Sequence, residues 1–259
     1  GAYWVWVLLL VTFVFQAVSY EFQHKKGNLL GARGFRIALM ANGILAPFLV
    51  GTAVGTFFTG SPFTVDKAAI ANPGSPVIST WGSPWHGLEA LAQPHAVLLG
   101  VTLVFLTIIL GSLYIITNVS SKSIRHLARR TLKLVSIPFL VCFVTWLVIL
   151  LLKDGFAVTA DGTVVLEPNK YFYNLVQMPG VMLMILAGVV GLVYGTVRTA
   201  FKKTRRGFWY AAPGAVLVVM SVFFLAGFCD TAYYPSLIDL QSSLTLRNSC
   251  SRRFPLQVI

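Results

Sequence analysis

The sequence predicts an all-α fold, a polytopic transmembrane helix bundle with six spans. Composition is the first sign: of 259 residues, 56% are hydrophobic and 11% charged, with a mean hydropathy of +0.77. A soluble domain carries roughly 25% charged residues to face water, and this chain cannot cover itself that way. The second sign is six apolar runs, each near the roughly 20 residues that cross a bilayer. The third is that basic residues gather in every other connection between those runs.

The runs cover about residues 3–20, 35–58, 94–117, 134–152, 176–197 and 209–229. No Lys or Arg precedes the first, so it does not read as a signal peptide. The first connection and its margins hold Lys25, Lys26, Arg33 and Arg36. The third holds Lys122, Arg125, Arg129, Arg130 and Lys133, and the fifth holds Arg198, Lys202, Lys203, Arg205 and Arg206. The other connections and the tail hold only Lys67, Lys153, Lys170, Arg247, Arg252 and Arg253. Short basic loops resist translocation. The first, third and fifth connections are therefore expected inside, with the Gly1 end and the C-terminal tail outside.

The net charge of +12 thus reads as orientation, with anionic lipid contact as a secondary effect, and no nucleic-acid partner is expected. Disorder is excluded by the hydrophobicity. Three cysteines, Cys142, Cys229 and Cys250, are too few and scattered for a disulfide framework or a thiolate metal site. The start at Gly1 rather than Met fits a fragment or a processed product.

The outer loops, residues 59–93 and 153–173, differ in kind from the inner ones. The first carries Pro62, Pro73, Pro76 and Pro84 with the pair Trp81 and Trp85. Its prolines favour turns, and its tryptophans suit the membrane interface. Residues 86–92 are expected to form a short helical turn. In the second loop, Asp161-Gly162 between two β-prone stretches predicts a hairpin with a type I′ turn.

Ionisable groups inside a span are costly and usually functional, and these runs are nearly free of them. Only Gln16, Asn42, Gln177 and a few hydroxyls lie inside. His24, His86, His95 and His126 fall in loops or at a run's end, so each is read as solvated or interfacial. With no histidine mid-span, and with Met182 and Met184 read as packing, no haem ligand, metal site or catalytic residue is assigned. Asp230, the acid nearest a run, and Glu89 are the candidates for a proton path or an interface. Gly51 and Gly55, and Gly191 and Gly195, have the spacing that lets membrane helices approach closely. Pro47 and Pro138 are expected to bend or start helices. Asn42 with Pro47 is the sole hint of the broken helices of a transporter.

Two segments carry a resemblance. Gly60-Ser-Pro-Phe-Thr-Val-Asp66 follows the second run, and the tail reads Pro235-Ser and Ser242-Ser-Leu-Thr-Leu-Arg-Asn-Ser-Cys-Ser251. Both resemble outer segments of subunit II of cytochrome bd-type quinol oxidases. The first run, followed by Tyr20-Glu and a basic loop, is similar to that family's third helix. The likeness covers essentially the whole chain, which would begin at the family's third span and stop where its last should begin. Arg252, Arg253 and Pro255 depart from the family's pattern. The family's acidic residues near its first helices have no counterpart here.

The resemblance implies a respiratory terminal oxidase of the bacterial cytoplasmic membrane that oxidises quinol, reduces O₂ to water and builds a proton gradient. It places haem b and haem d in subunit I. This chain is left as a haem-free partner that supports subunit I, with a structural quinone and a small third subunit as further associates. A secondary transporter or permease, and a haem-free scaffold for another complex, are the rival expectations.

Overall fold

A computed structural model describes residues 3–25, 31–65, 79–202 and 204–246. Its helices are α1 (Tyr3–Phe22), α2 (Gly31–Thr59), α3 (Pro94–Asn118), α4 (Lys122–Leu152), α5 (Lys170–Gln177), α6 (Pro179–Phe201) and α7 (Phe208–Gly227). All but α5 are long and apolar enough to cross a membrane. The protein is a polytopic helical membrane protein.

Three helix boundaries differ from the hydropathy runs, each for a physical reason. α4 has 31 residues and rises about 46 Å, well beyond a hydrocarbon core of about 30 Å. Its first turns, Lys122 to Lys133, are basic and continue the helix out of the apolar zone. The fifth run is broken at Met178, because a residue preceding proline disfavours helical geometry. α5 therefore ends at Gln177, and α6 starts afresh with Pro179 in its first turn, where the missing N–H costs nothing. α7 ends at Gly227, and the turn beyond it puts Cys229 and Asp230 at φ 54° and 49°. Pro47 and Pro138 both lie inside continuous helices, so neither starts one.

Chain neighbours pack on one another, as short connections dictate. α1 leans on α2, α2 on α3, α3 on α4, and α6 pairs with α7. One core cluster joins α3, α4, α6 and α7 through Ile109, Leu113, Leu132, Phe139, Leu192 and Ala215. The α2–α3 and α6–α7 crossings are set by small residues. A Cβ on Gly51 would stand 2.6 Å from the Gly100 Cα, and one on Gly55 2.6 Å from the Ala96 Cα. A Cβ on Gly195 would meet the Gly207 carbonyl at 2.5 Å, while Gly191 is looser, 3.2 Å from the Tyr210 carbonyl. Membrane helices lack a hydrophobic drive to associate, so this close backbone packing carries much of their attraction.

A thin layer of short strands caps one side of the bundle. It consists of three antiparallel strand pairs: β1 (Phe63–Val65) with β2 (Ser79–Trp81), β3 (Gly155–Val158) with β4 (Val164–Glu167), and β5 (Ala232–Tyr234) with β6 (Leu244–Thr245). A 3₁₀ turn at Leu88–Ala92 occupies the segment expected to be helical. The β3–β4 hairpin forms, but not with a two-residue turn. Thr159 and Thr163 still pair (N–H to carbonyl, 2.9 Å), and only Gly162 of the intervening residues has positive φ, at 81°. A type I′ turn needs positive φ at both central residues. The sequence instead adopts the three-residue loop closed by a left-handed glycine.

Candidate functional site

Beneath the strand layer, four elements converge on a buried aromatic cluster. Phe58 ends α2, His95 begins α3, Trp146 lies in the last turns of α4, and Tyr171 sits on α5. Phe58 is edge-on to Trp146 at 5.8 Å between ring centroids and to Tyr171 at 5.4 Å. His95 lies stacked on Trp146 at 5.5 Å. Lys153, just past α4, donates to the Phe58 carbonyl at 3.4 Å. A cation there suits the negative end of α2.

The cluster is buried yet carries several polar atoms. Trp146 and Tyr171 are fully buried and His95 is 8% exposed. Both His95 ring nitrogens, Trp146 Nε1 and the Tyr171 hydroxyl lack a hydrogen-bond partner among the described residues. Burial pushes the Tyr171 phenol above its ordinary range. Burial also pulls the Lys153 ammonium below the usual lysine value, and Asp154 beside it works in the opposite direction.

Trp146 is also part of the wall of a cavity of about 330 Å³ between α2, α3, α4, α6 and α7. Val54, Leu103, Phe143, Val189 and Val218 are typical of its lining, and its one hydroxyl, on Thr102, is spent on the Leu98 carbonyl at 2.7 Å. No His, Cys, Met or carboxylate borders it, so it offers iron none of the usual side-chain ligands. Its size and apolar walls suit a hydrocarbon tail. Among the described residues no cluster of His, Cys, Asp or Glu could hold a metal ion.

In the strand layer the two sequence segments singled out above meet. The Ser61 N–H donates to the Pro235 carbonyl and the Leu237 N–H to the Ser61 carbonyl, both at 3.0 Å. The Tyr234 hydroxyl reaches Ser61 Oγ at 3.2 Å, and the Ser236 hydroxyl donates to the Phe63 carbonyl. Ser242 Oγ reaches the Asp239 carboxylate at 2.6 Å, and Gln241 clamps both the N–H and the carbonyl of Val164 at 3.1 Å each. Asp66 and residues 247–251 of these segments lie outside the described residues.

The sequence profile of cytochrome bd terminal oxidase subunit II matches residues 1–259. The chain belongs to this family. A curated relative from Haemophilus influenzae named "Probable cytochrome oxidase subunit 2" is 24% identical over 80% of the chain. The match takes in 53% of that relative, so the chain spans about half the relative's length.

Within this subunit II chain the site candidates fall in different places. Asp230 is exposed, and its backbone carbonyl accepts from the Val158 N–H at 2.7 Å. Glu89 is half-buried and closes the 3₁₀ turn by accepting from the Gly87 N–H at 2.6 Å. The two acids are not brought together with each other or with the aromatic cluster. Gly51 lines the cavity, which joins a packing position to the site.

One expectation is corrected. His95 is not solvated; it is buried against Trp146. A position at the end of an apolar run fixes depth but not which way the side chain turns. Trp146, Tyr171 and Lys153 went unassigned as site residues because each looks ordinary where it stands in the sequence. Only the meeting of four chain segments makes them a cluster.

Proposed function

We propose that this chain is the haem-free membrane subunit of a bd-type quinol oxidase and holds its partner, subunit I, in the bacterial cytoplasmic membrane. Haem b and haem d, carried by subunit I, supply the electron transfer and O₂ reduction. The observation that carries the reading is the cavity. It sits at the centre of a chain of this family, is walled by hydrocarbon, and has no side chain suited to iron on its lining. Its best occupant is the isoprenoid tail of a structural quinone.

The chain's own residues then bind and shield. Val54, Leu103, Phe143 and Val218 exclude water from the tail, while Phe58 and Tyr171 seal the cluster above it. The basic margins of α4, α6 and α7 support a cytoplasmic placement of that side, with the strand layer, the Gly1 end and the C-terminal tail outside. Trp4 N–H meets the His86 carbonyl at 3.4 Å, so α1 begins on the strand-layer side. Gln16 bonds Asn42 at 2.8 Å and α2 runs unbroken through Pro47. The hint of a transporter's broken helix therefore has a simpler account as helix-to-helix bonding.

The test is purification of the tagged full-length chain from its native membrane. A haem-bearing partner, quinol-dependent O₂ uptake and a tightly held quinone lost in Val218→Trp are expected. A chain that purifies alone and carries a solute into liposomes overturns the proposal, as does a partner without haem.

A further inference from the structure

The outward face of α6 carries a second hollow, a groove of about 740 Å³ at the helix's basic end. Val190, Val193 and Val197 form its wall, and Tyr194, Arg198 and Lys202 close its end. From Val190 to Lys202 the helix rises about 18 Å, close to the ~15 Å of one hydrocarbon leaflet plus the start of the headgroup zone. The groove thus has the length and polarity gradient of a single lipid leaflet.

Its cationic end is organised. Arg198 donates to the Tyr194 hydroxyl and lies over that ring at 5.4 Å from its centroid. Lys133, reaching across from α4, stands over the Phe201 ring at 5.0 Å. None of Arg198, Lys202 and Lys133 has a carboxylate partner among the described residues. Glu21, an acid of the same membrane side, is bonded to Lys25 at 2.9 Å. The groove therefore presents two cations, Arg198 and Lys202, with Lys133 beside its Phe201 wall, and no carboxylate pairs with them among the described residues.

We propose that this groove is a binding site for one anionic phospholipid, its phosphate on Arg198 and Lys202 and an acyl chain along the valines of α6. The guanidinium suits a phosphate's paired oxygens, and the ammonium adds a point charge. Free inorganic phosphate could use the cationic end but would leave the valine wall bare. A zwitterionic lipid carries its own ammonium and gains less from these cations. The site is independent of the redox assignment, because it needs only the chain and a membrane.

The test uses the purified full-length chain with whatever partner accompanies it, stripped of lipid and titrated with phosphatidylglycerol, phosphatidylcholine or inorganic phosphate. Bound lipid is counted by native mass spectrometry. Phosphatidylglycerol is expected to bind in preference to phosphatidylcholine, with inorganic phosphate failing to displace it. Arg198→Gln with Lys202→Gln should weaken binding about 30-fold, at roughly tenfold per 1.4 kcal/mol and ~1 kcal/mol per cation. Val193→Trp should abolish binding while leaving every charge in place. Lys122→Gln with Arg130→Gln, off the groove on the same side, should leave it unchanged, and Arg198→Lys with Lys202→Arg should restore it in a folded protein. Equal binding by the Gln pair, an equal loss in the off-groove pair, displacement by inorganic phosphate, or no effect of Val193→Trp would each overturn the proposal.

Discussion

The imidazole of His95 lies against the indole of Trp146, ring centroids 5.5 Å and planes 25° apart, and the ring nitrogens of both side chains lack a hydrogen-bond partner among the described residues. The pair joins α3 to α4 directly above the apolar cavity. Burial of unpaired polar groups costs about 1–3 kcal/mol, so the stacking and the surrounding packing must outweigh it.

His95→Phe keeps a ring on Trp146 and removes the unpaired nitrogens. Stability should stay level or rise by about 1 kcal/mol, with haem content unchanged in the assembled complex. Thermal melting in detergent and haem quantitation check this. Loss of haem, or of activity in a stable complex, would mean that the imidazole serves a ligand.

Gly55→Leu drives a side chain into the Ala96 backbone, where even a Cβ would stand at 2.6 Å. A loss of at least 1–3 kcal/mol is expected, seen as a lower yield of assembled protein. Gly191→Ala, with 3.2 Å to the nearest atom, should be far milder. Equal yields for the two variants would show that the α2–α3 crossing does not depend on close approach.

Gln16→Leu removes the bond to Asn42 between α1 and α2. Asn42 Oδ1 is already unpartnered, so the variant leaves the Asn42 amide group without its bond as well. The expected cost is about 0.6 kcal/mol, the typical worth of an interhelical bond in a membrane. Because α1 packs chiefly on α2, the effect should appear as faster proteolysis or labelling of α1 rather than as global unfolding.

Asp230→Asn should leave turnover and stability nearly unchanged. The side chain is exposed, and asparagine tolerates the left-handed conformation that residue 230 adopts at φ 49°. Asp230→Val should cost about 1–2 kcal/mol through backbone strain alone. Selective loss of proton uptake in the Asn variant, with normal assembly, would assign Asp230 a proton-carrying role instead.

Lys153 offers a pH test. Its ammonium is held below the usual lysine range by burial, so folding penalises the charged form. That penalty is present at neutral pH and fades as pH rises through the folded-state value toward about 10.4, the free-lysine value. Wild type should therefore gain stability on alkalinisation relative to Lys153→Met, read from paired melting curves at neutral and alkaline pH. A parallel pH response of the two proteins would contradict the burial account.

The spans were legible because crossing lipid is a one-dimensional requirement: enough apolar residues in a row. The basic first turns of α4 were hidden because a helix continues past the lipid where hydropathy falls. The break at Met178 was visible in principle, since Pro179 follows it. Gln16 and Asn42 stand out as polar residues inside apolar runs, yet nothing in the sequence says that they bond. The cluster of Phe58, His95, Trp146 and Tyr171 was illegible, because each residue is unremarkable beside its chain neighbours. The Ser61 and Ser236 segments could be matched to a family without any sign that they touch.

The central claim is that the redox centres belong to the companion subunit and that this chain supplies walls, packing and a quinone pocket. Haem measured in the full-length chain purified with and without that companion tests it most directly. The account expects haem in the pair and none in the chain alone. Haem held stoichiometrically by the chain alone, and lost in His95→Phe, would contradict it.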